Sequence, residues 1–451
     1  MKVGDEAEVA FTDLLANGQA VGRTGGIVVF CFGPLPLESA RVAIVSIKPK
    51  YAVAKLLELL STSPFRAQPF CPVFGECGGC QVQHLSYPAQ LAWKSDVLRG
   101  ALTRIGGFSE IEVRDAVGMD VPRDYRNKMS LVIEGARAPE APPAIGFYRQ
   151  RSHDVVPIDA CPIVTPQLSG YVERLKQARV TPKTAGALKE ARHLVARSAH
   201  ATGQSVVTIT TARESDAVAK GAPALMAALP GAVGITNSFD LGSANAIFGK
   251  HQRAVAGSAE IEESIGGIRY RVSAGSFFQV NVEIVARIFD LLATQLSQPL
   301  RIVDLYCGAG TFALFFAKRG CNVYGIEESA RAVAEARANA ELNGLQEWAR
   351  FQPARVEVAV AGGPGRAALE SAQVAFLDPP RKGSDERTLG AIAEARVPTI
   401  WYLSCDPATL ARDLKFLAAK GYRPGIVVPF DMFPQTGHVE ALATLALTTD
   451  F

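Results

Sequence analysis

A chain of 451 residues, 48% hydrophobic and 20% charged, is long enough for two or three globular domains and too apolar to be disordered. No apolar run reaches membrane-spanning length, and the charged start Met1-Lys2-Val3-Gly4-Asp5-Glu6 is no secretory signal, so a cytoplasmic protein with no membrane partner is expected. A net charge of +3 permits nucleic acid without arguing for it, and eight cysteines in a reducing compartment do not suit a disulfide framework.

Residues 1–58 read as a small all-β unit. Val3, Ala7, Val9 and Phe11 fall at alternate positions, turns follow at Asn17-Gly18 and Gly25-Gly26, and strands are expected at residues 27–30 and 41–47. Short strands at this spacing suit a five-stranded, OB-like barrel, a fold that often binds nucleic acid. Lys48, Lys50 and Lys55 add only a modest basic cluster.

Residues 59–281 follow as a mixed, β-rich central domain. It opens with Cys71-Pro72-Val73-Phe74-Gly75-Glu76-Cys77-Gly78-Gly79-Cys80, and Cys161-Pro162 comes much later. Cys77 and Cys80 can bite one metal, the glycines between them let the backbone wrap closely, and Cys71 and Cys161 would complete a four-sulfur shell. Zinc and an iron–sulfur cluster both accept four thiolates, and spacing does not separate them. Residues 87–99 have a helical pattern, strands are expected at 130–133, 144–148 and 205–210, and the Ala-, Lys- and Arg-rich residues 185–198 suggest a helix. Tyr125-Arg126-Asn127-Lys128 is a cationic, aromatic cluster before a strand.

From residue 282 to 451 strands alternate with helices, the sign of a parallel sheet in an α/β domain. Strands are expected at 301–305, 322–326, 374–377, 399–403, 425–428 and 439–447. Asp304-Leu305-Tyr306-Cys307-Gly308-Ala309-Gly310-Thr311 closes the first, with small residues where a ligand would approach a helix N-terminus. Glu327 closes the second, where a carboxylate can accept from ribose hydroxyls. The spacing from Asp304 to Gly310 resembles the S-adenosylmethionine (SAM) sites of Rossmann-like methyltransferases. Asp378-Pro379-Pro380-Arg381 would rim the same carboxyl edge. In Thr399-Ile400-Trp401-Tyr402-Leu403-Ser404-Cys405-Asp406-Pro407 a buried strand ends at a cysteine and a helix begins, with Asp406 as N-cap and Pro407 in the first turn. A cysteine at the positive end of a helix dipole favours thiolate.

A thiolate beside a methyl donor suits a pyrimidine ring carbon. The 5-carbon of uracil attacks a methyl group only after a nucleophile adds to the 6-carbon, and a base must then take the 5-proton. Glu440, at the start of the last strand after Thr436-Gly437-His438-Val439, is the candidate base, with His438 orienting its loop.

Phe277-Phe278-Gln279-Val280-Asn281, the Asp304–Gly310 run, Leu377-Asp378-Pro379-Pro380-Arg381, Ser404-Cys405-Asp406-Pro407 and Thr436-Gly437-His438-Val439-Glu440, in that order, resemble the RNA uracil-5-methyltransferases. The N-terminal unit resembles a TRAM domain, and with the cysteine array it points to the branch acting on 23S ribosomal RNA. The resemblance implies Cys405 as nucleophile and Glu440 as proton acceptor. It implies Gln279, Tyr306, Gly308, Gly310, Thr311, Glu327 and Asp378 around SAM, and a [4Fe–4S] cluster on Cys71, Cys77, Cys80 and Cys161. Arg126, Phe277 and Arg381 would meet the RNA, with Phe277 or Phe278 offering a stacking face. Thr311 stands where some members have asparagine, and no polar adenine contact is recognised around Phe351-Gln352-Pro353-Ala354-Arg355. A monomer is expected. The alternatives are a tRNA uridine-5-methyltransferase, a cytosine-5 methyltransferase, and a non-catalytic iron–sulfur RNA-binding protein.

Overall fold

In the computed structural model, which describes residues 1–135, 143–243 and 246–448, alternation of inward apolar residues closes the first strands on themselves. Glu6–Leu14, Gln19–Thr24, Ile27–Phe32, Glu38–Lys48 and Tyr51–Ser61 form a closed five-stranded barrel. Val9, Phe11, Val29, Val42 and Ile44 fill it. A buried carboxylate staples its exit: Glu38 accepts from Leu35 N at 2.7 Å, Ser63 N at 3.0 Å and the Arg66 guanidinium. These bonds hold its pKa below the usual carboxylate range in spite of burial.

Tyr87–Ala101 is the expected helix, with Pro88 in its first turn, and a π turn at Leu102–Gly106 ends it on Gly107 in the left-handed region. The central sheet has seven strands, in the order His251–Gly257, Ala232–Phe239, Ser205–Thr210, His193–Ser198, Lys128–Glu134, Ala144–Tyr148 and Val155–Pro157. The helix expected over residues 185–198 is corrected here. Only Ala185–Glu190 is helical, and His193–Ser198 is an interior strand paired on both sides, every residue of it buried. Pairing and burial override the composition. Arg197 is tolerated inside because its guanidinium donates to the carbonyl oxygens of Ser276 and Phe278.

The last sheet also has seven strands: Ala349–Pro353, Asn322–Glu327, Arg301–Leu305, Val374–Leu377, Thr399–Ser404, Glu440–Leu447 and Tyr422–Phe430. The first five run parallel; Glu440–Leu447 is antiparallel to both of its neighbours. The strand Ala349–Pro353 falls where sequence patterning marks none. Helix Val282–Thr294, capped by Asn281, and the hairpin Glu260–Ile265/Ile268–Ser273 pack on one face of this sheet. Phe289, Phe312, Phe315, Phe316 and Trp401 form the aromatic core there. Among the described residues no helix is long and apolar enough to cross a membrane.

Candidate active site

The carboxyl ends of the parallel strands open into a cavity of about 1020 Å³. Ser404 pairs with Ala441 across the two strands, so one further step of the ladder sets Cys405 opposite Glu440. Both side chains line the cavity, together with Asp378, Arg381, Phe433 and His438. The structure therefore brings together a thiol and an acid from opposite ends of two adjacent strands.

Their electrostatics correct the thiolate expectation. Burial pushes the Cys405 thiol up to about 12, the Glu440 and Asp378 charges add to this, and Arg381 opposes it. The helix N-terminus gives little relief, because Asp406 Oδ1 takes the free amides of Ala408 at 3.0 Å and Thr409 at 2.9 Å. Glu440 is held well above the carboxylate range, first by burial and then by Asp378. Burial moves Asp378 to about 7. The two carboxyls do not both ionise readily in this buried setting. His438 is driven down to about 4 by burial and by Arg381, Lys94 and Arg126, so its ring is neutral.

On the other side of the cavity, Gly308, Thr311, Glu327 and Tyr306 surround a tight strand-to-helix turn. Gly308 and Gly310 lie in the left-handed region at φ 55° and 87°, and Tyr306 is there too at φ 69°. A Cβ on Gly310 would press on Ala336 at 3.3 Å and Phe351 at 3.4 Å, so the turn needs glycine for both conformation and space. Glu327 Oε2 accepts from Gly308 N at 3.3 Å and its Oε1 from Ser329 N at 2.8 Å, which fixes the carboxylate at the strand end. Gln279 Nε2 reaches Asp378 Oδ2 at 3.5 Å. Cys307 also lines the cavity, but burial holds its thiol well above its usual range.

Residues 431–439, between the strand Tyr422–Phe430 and Glu440, are clamped from several sides. Gln435 has φ 71°, a conformation that costs a non-glycine residue about 1–3 kcal/mol. Its carbonyl accepts from Gln81 N at 3.0 Å and Val82 N at 3.1 Å, its amide donates to Gln90 Oε1 at 3.1 Å, and Gln90 Nε2 donates to its Oε1 at 2.9 Å. Tyr125 Oη donates to Pro434 O at 3.1 Å. Lys94, fully buried, is paired with the buried carboxylate of Asp431 and donates to Phe433 O. Gly437 lies so close to the barrel that an added Cβ would sit 1.6 Å from Ala16 O.

The cysteines Cys71, Cys77, Cys80 and Cys161 line a separate cavity of about 190 Å³. Burial first, then the neighbouring thiols, raises Cys80 to about 12 and Cys161 to about 11. Among the described residues no three His, Cys, Asp or Glu side chains gather tightly enough for a single metal ion. The donors ring a space instead of meeting at a point. Arg126 lines this cavity as well, and its guanidinium carbon lies 6.0 Å from the Phe433 ring centre.

Of the paired aromatics, Phe278 is core, against Tyr270 at 5.5 Å, whereas Phe277 is 73% exposed at the cavity edge. Sequence reasoning assigned no role to Phe433, whose ring lines the cavity edge-on to His438, or to Arg355 and Glu357, which line it too. An aromatic next to the Gly-His turn was the available signal for the first. The others required knowing that Ala349–Pro353 is a strand, since they follow its carboxyl end.

Residues 252–447 match the tRNA (Uracil-5-)-methyltransferase family. An uncharacterized RNA methyltransferase of Bacillus cereus is 35% identical across 98% of this chain and 96% of its own. Another, from Halalkalibacterium halodurans, is 36% identical across 98% and 97%. The chain belongs to the RNA uracil-5-methyltransferase family. The crystal structure of Pyrococcus abyssi tRNA (uracil-54, C5)-methyltransferase in complex with S-adenosyl-L-homocysteine aligns with this methyltransferase at a TM-score of 0.77 and 28% identity, covering 98% of this chain and 100% of that one. The protein is thus a SAM-dependent RNA uracil-5-methyltransferase with an α/β methyltransferase fold and an N-terminal five-stranded barrel.

Proposed function

We propose that this enzyme methylates the 5-carbon of a uridine in 23S ribosomal RNA by covalent catalysis. The register that sets Cys405 opposite Glu440 at the floor of one cavity carries the reading. Cys405, once deprotonated, adds through sulfur to the 6-carbon of the uracil ring, which makes the 5-carbon nucleophilic. SAM would supply the methyl group and, through its sulfonium, a positive charge in a cavity lined by carboxyls. Gln279, Tyr306, Gly308, Gly310, Thr311, Glu327 and Asp378 would hold it. After transfer, Glu440 in its ionised form takes the 5-proton and the carbon–sulfur bond breaks; its raised pKa makes it a stronger base than an ordinary carboxylate. Phe277 offers an exposed face for a base that must leave its stack, an excursion costing roughly a few kcal/mol, and Arg381 faces the same opening. The barrel, residues 1–58, and the central region, residues 59–281, would grip the RNA fold, leaving the chemistry to residues 282–451.

Cys71, Cys77, Cys80 and Cys161 would hold a [4Fe–4S] cluster. Their arrangement around a cavity suits a polynuclear group better than one zinc ion, which draws its sulfurs to ~2.3 Å. Methyl transfer moves no net electrons, so the group would be a structural tie. The whole-chain likeness to the Pyrococcus abyssi enzyme favours a second reading, a tRNA uridine.

Mass-spectrometric mapping of RNA from a deletion strain separates the two. Loss of a 5-methyluridine from 23S RNA supports the first, loss from tRNA alone replaces it with the second, and loss from neither removes both. Purified Cys405→Ala should bind SAM but lose methyl transfer entirely, and retained turnover would exclude the thiol. Anaerobically prepared protein should contain iron and sulfide and absorb broadly in the visible; one zinc per chain instead would refute the cluster.

A further inference from the structure

Gln81 directly follows Cys80, and its side chain faces two ways. Its Nε2 donates to Gly78 O at 3.0 Å, inside the cysteine array, while its Oε1 accepts from Gly437 N at 3.4 Å, in the loop that leads to Glu440. Its own amide and that of Val82 both bind Gln435 O. Gln90, buried on the next helix, closes the same clamp: it donates to Val82 O at 3.1 Å and Leu85 O at 2.8 Å and exchanges hydrogen bonds with Gln435 through both ends of its amide. None of these residues lines the large cavity. The strained backbone of Gln435 is held only while those partners stay in place.

We propose that Gln81 and Gln90 are positioning residues for proton removal, tying the cysteine array to the catalytic loop and setting the place of Glu440. The inference rests on the reading of Glu440 as the base. The array would then act on catalysis through the backbone of residues 435–437, without touching the substrate. A displaced Glu440 should not slow thiol addition or methyl transfer, because moving its charge away from Cys405 eases ionisation of the thiol, and should slow release of the methylated product from Cys405.

The test follows the covalent enzyme–RNA adduct in single turnover, with the full chain and saturating SAM. In Gln81→Ala and Gln90→Ala the methyl should transfer no more slowly than in the wild type, while the adduct decays about tenfold more slowly, the scale of one lost hydrogen bond. Gln81→Glu keeps the acceptor for Gly437 but loses the donor to Gly78 O, so it should stay as slow as Gln81→Ala, and full recovery of the decay rate would overturn the tie to the array. Equal slowing of both steps would mean a merely structural role, and unchanged decay would mean none; either overturns the proposal. Glu440→Gln separates this from the reading beneath it. If that variant fails to accumulate adduct, the assigned base is wrong. If it accumulates adduct and the glutamine variants do not, only the positioning inference falls.

Discussion

Cys405 and Cys307 line the same cavity, yet the residues around them prepare different fates. Cys307 is fully enclosed, and burial followed by the charges of Asp304 and Glu327 holds its proton on. Cys405 is half-open, and the Arg381 cation opposes the effect of burial on it, as on Glu440. Removing that cation raises the pKa of both groups, so each is harder to ionise. In Arg381→Gln the acid limb of the kcat–pH profile, measured at saturating RNA, should move to higher pH. The rate at pH 7 should fall by roughly tenfold, equivalent to about 1.4 kcal/mol. An unshifted limb would show that Arg381 contacts RNA without tuning the chemistry. The residue types were legible in the sequence because covalent pyrimidine methylation needs a thiol and a base. Their protonation was not, since Asp378 and Glu440 come to face the thiol only through the register of strands far apart in the chain.

At the scale of elements, the helix Tyr87–Ala101 and residues 431–439 act as a pair. Lys94 and Asp431 are both fully removed from water, and burial lowers the lysine's affinity for its proton while Asp431 offsets that. Breaking one side of such a pair strands the other charge. Lys94→Met should therefore cost about 3–5 kcal/mol in denaturant unfolding, and the double variant Lys94→Met/Asp431→Leu should regain most of it. A double variant no better than the single would show that packing, not the stranded carboxylate, sets the cost. Strand and helix identities in the last sheet were readable from their apolar runs and caps. The strand His193–Ser198 was not, because alanine and arginine carry little β preference and its place between two partners decides the matter. Ala349–Pro353 was missed for a related reason: of Ala, Arg, Phe, Gln and Pro only phenylalanine carries a strong β preference, and pairing with Asn322–Glu327 makes the segment a strand.

Across the whole molecule, residues 431–439 are a junction. The barrel reaches them through Gly437 and reaches the neighbouring helix through Trp93, whose Nε1 donates to Leu14 O at 2.9 Å. The catalytic sheet enters them from Phe430 and leaves at Glu440. Shared contacts of this kind couple the unfolding of the parts. With Trp348 and one other tryptophan replaced by phenylalanine, fluorescence from Trp93 beside the barrel and from Trp401 in the sheet should report one denaturation midpoint. Two separated midpoints would mean the barrel unfolds independently.

By itself the sequence determined the chemistry on offer: a thiol after a strand, a small-residue turn with a carboxylate on the next strand, a grouped set of cysteines, and the alternation that makes an α/β sheet. These are local, since each depends on residues within a few positions of one another. Only the tertiary structure decided that Glu440 would stand across from Cys405, that Arg126 would border the cysteines, and that a glutamine following Cys80 would hold the catalytic loop. Each of those depends on contacts between residues far apart in the chain, and it is pairing register and burial, not composition, that select them.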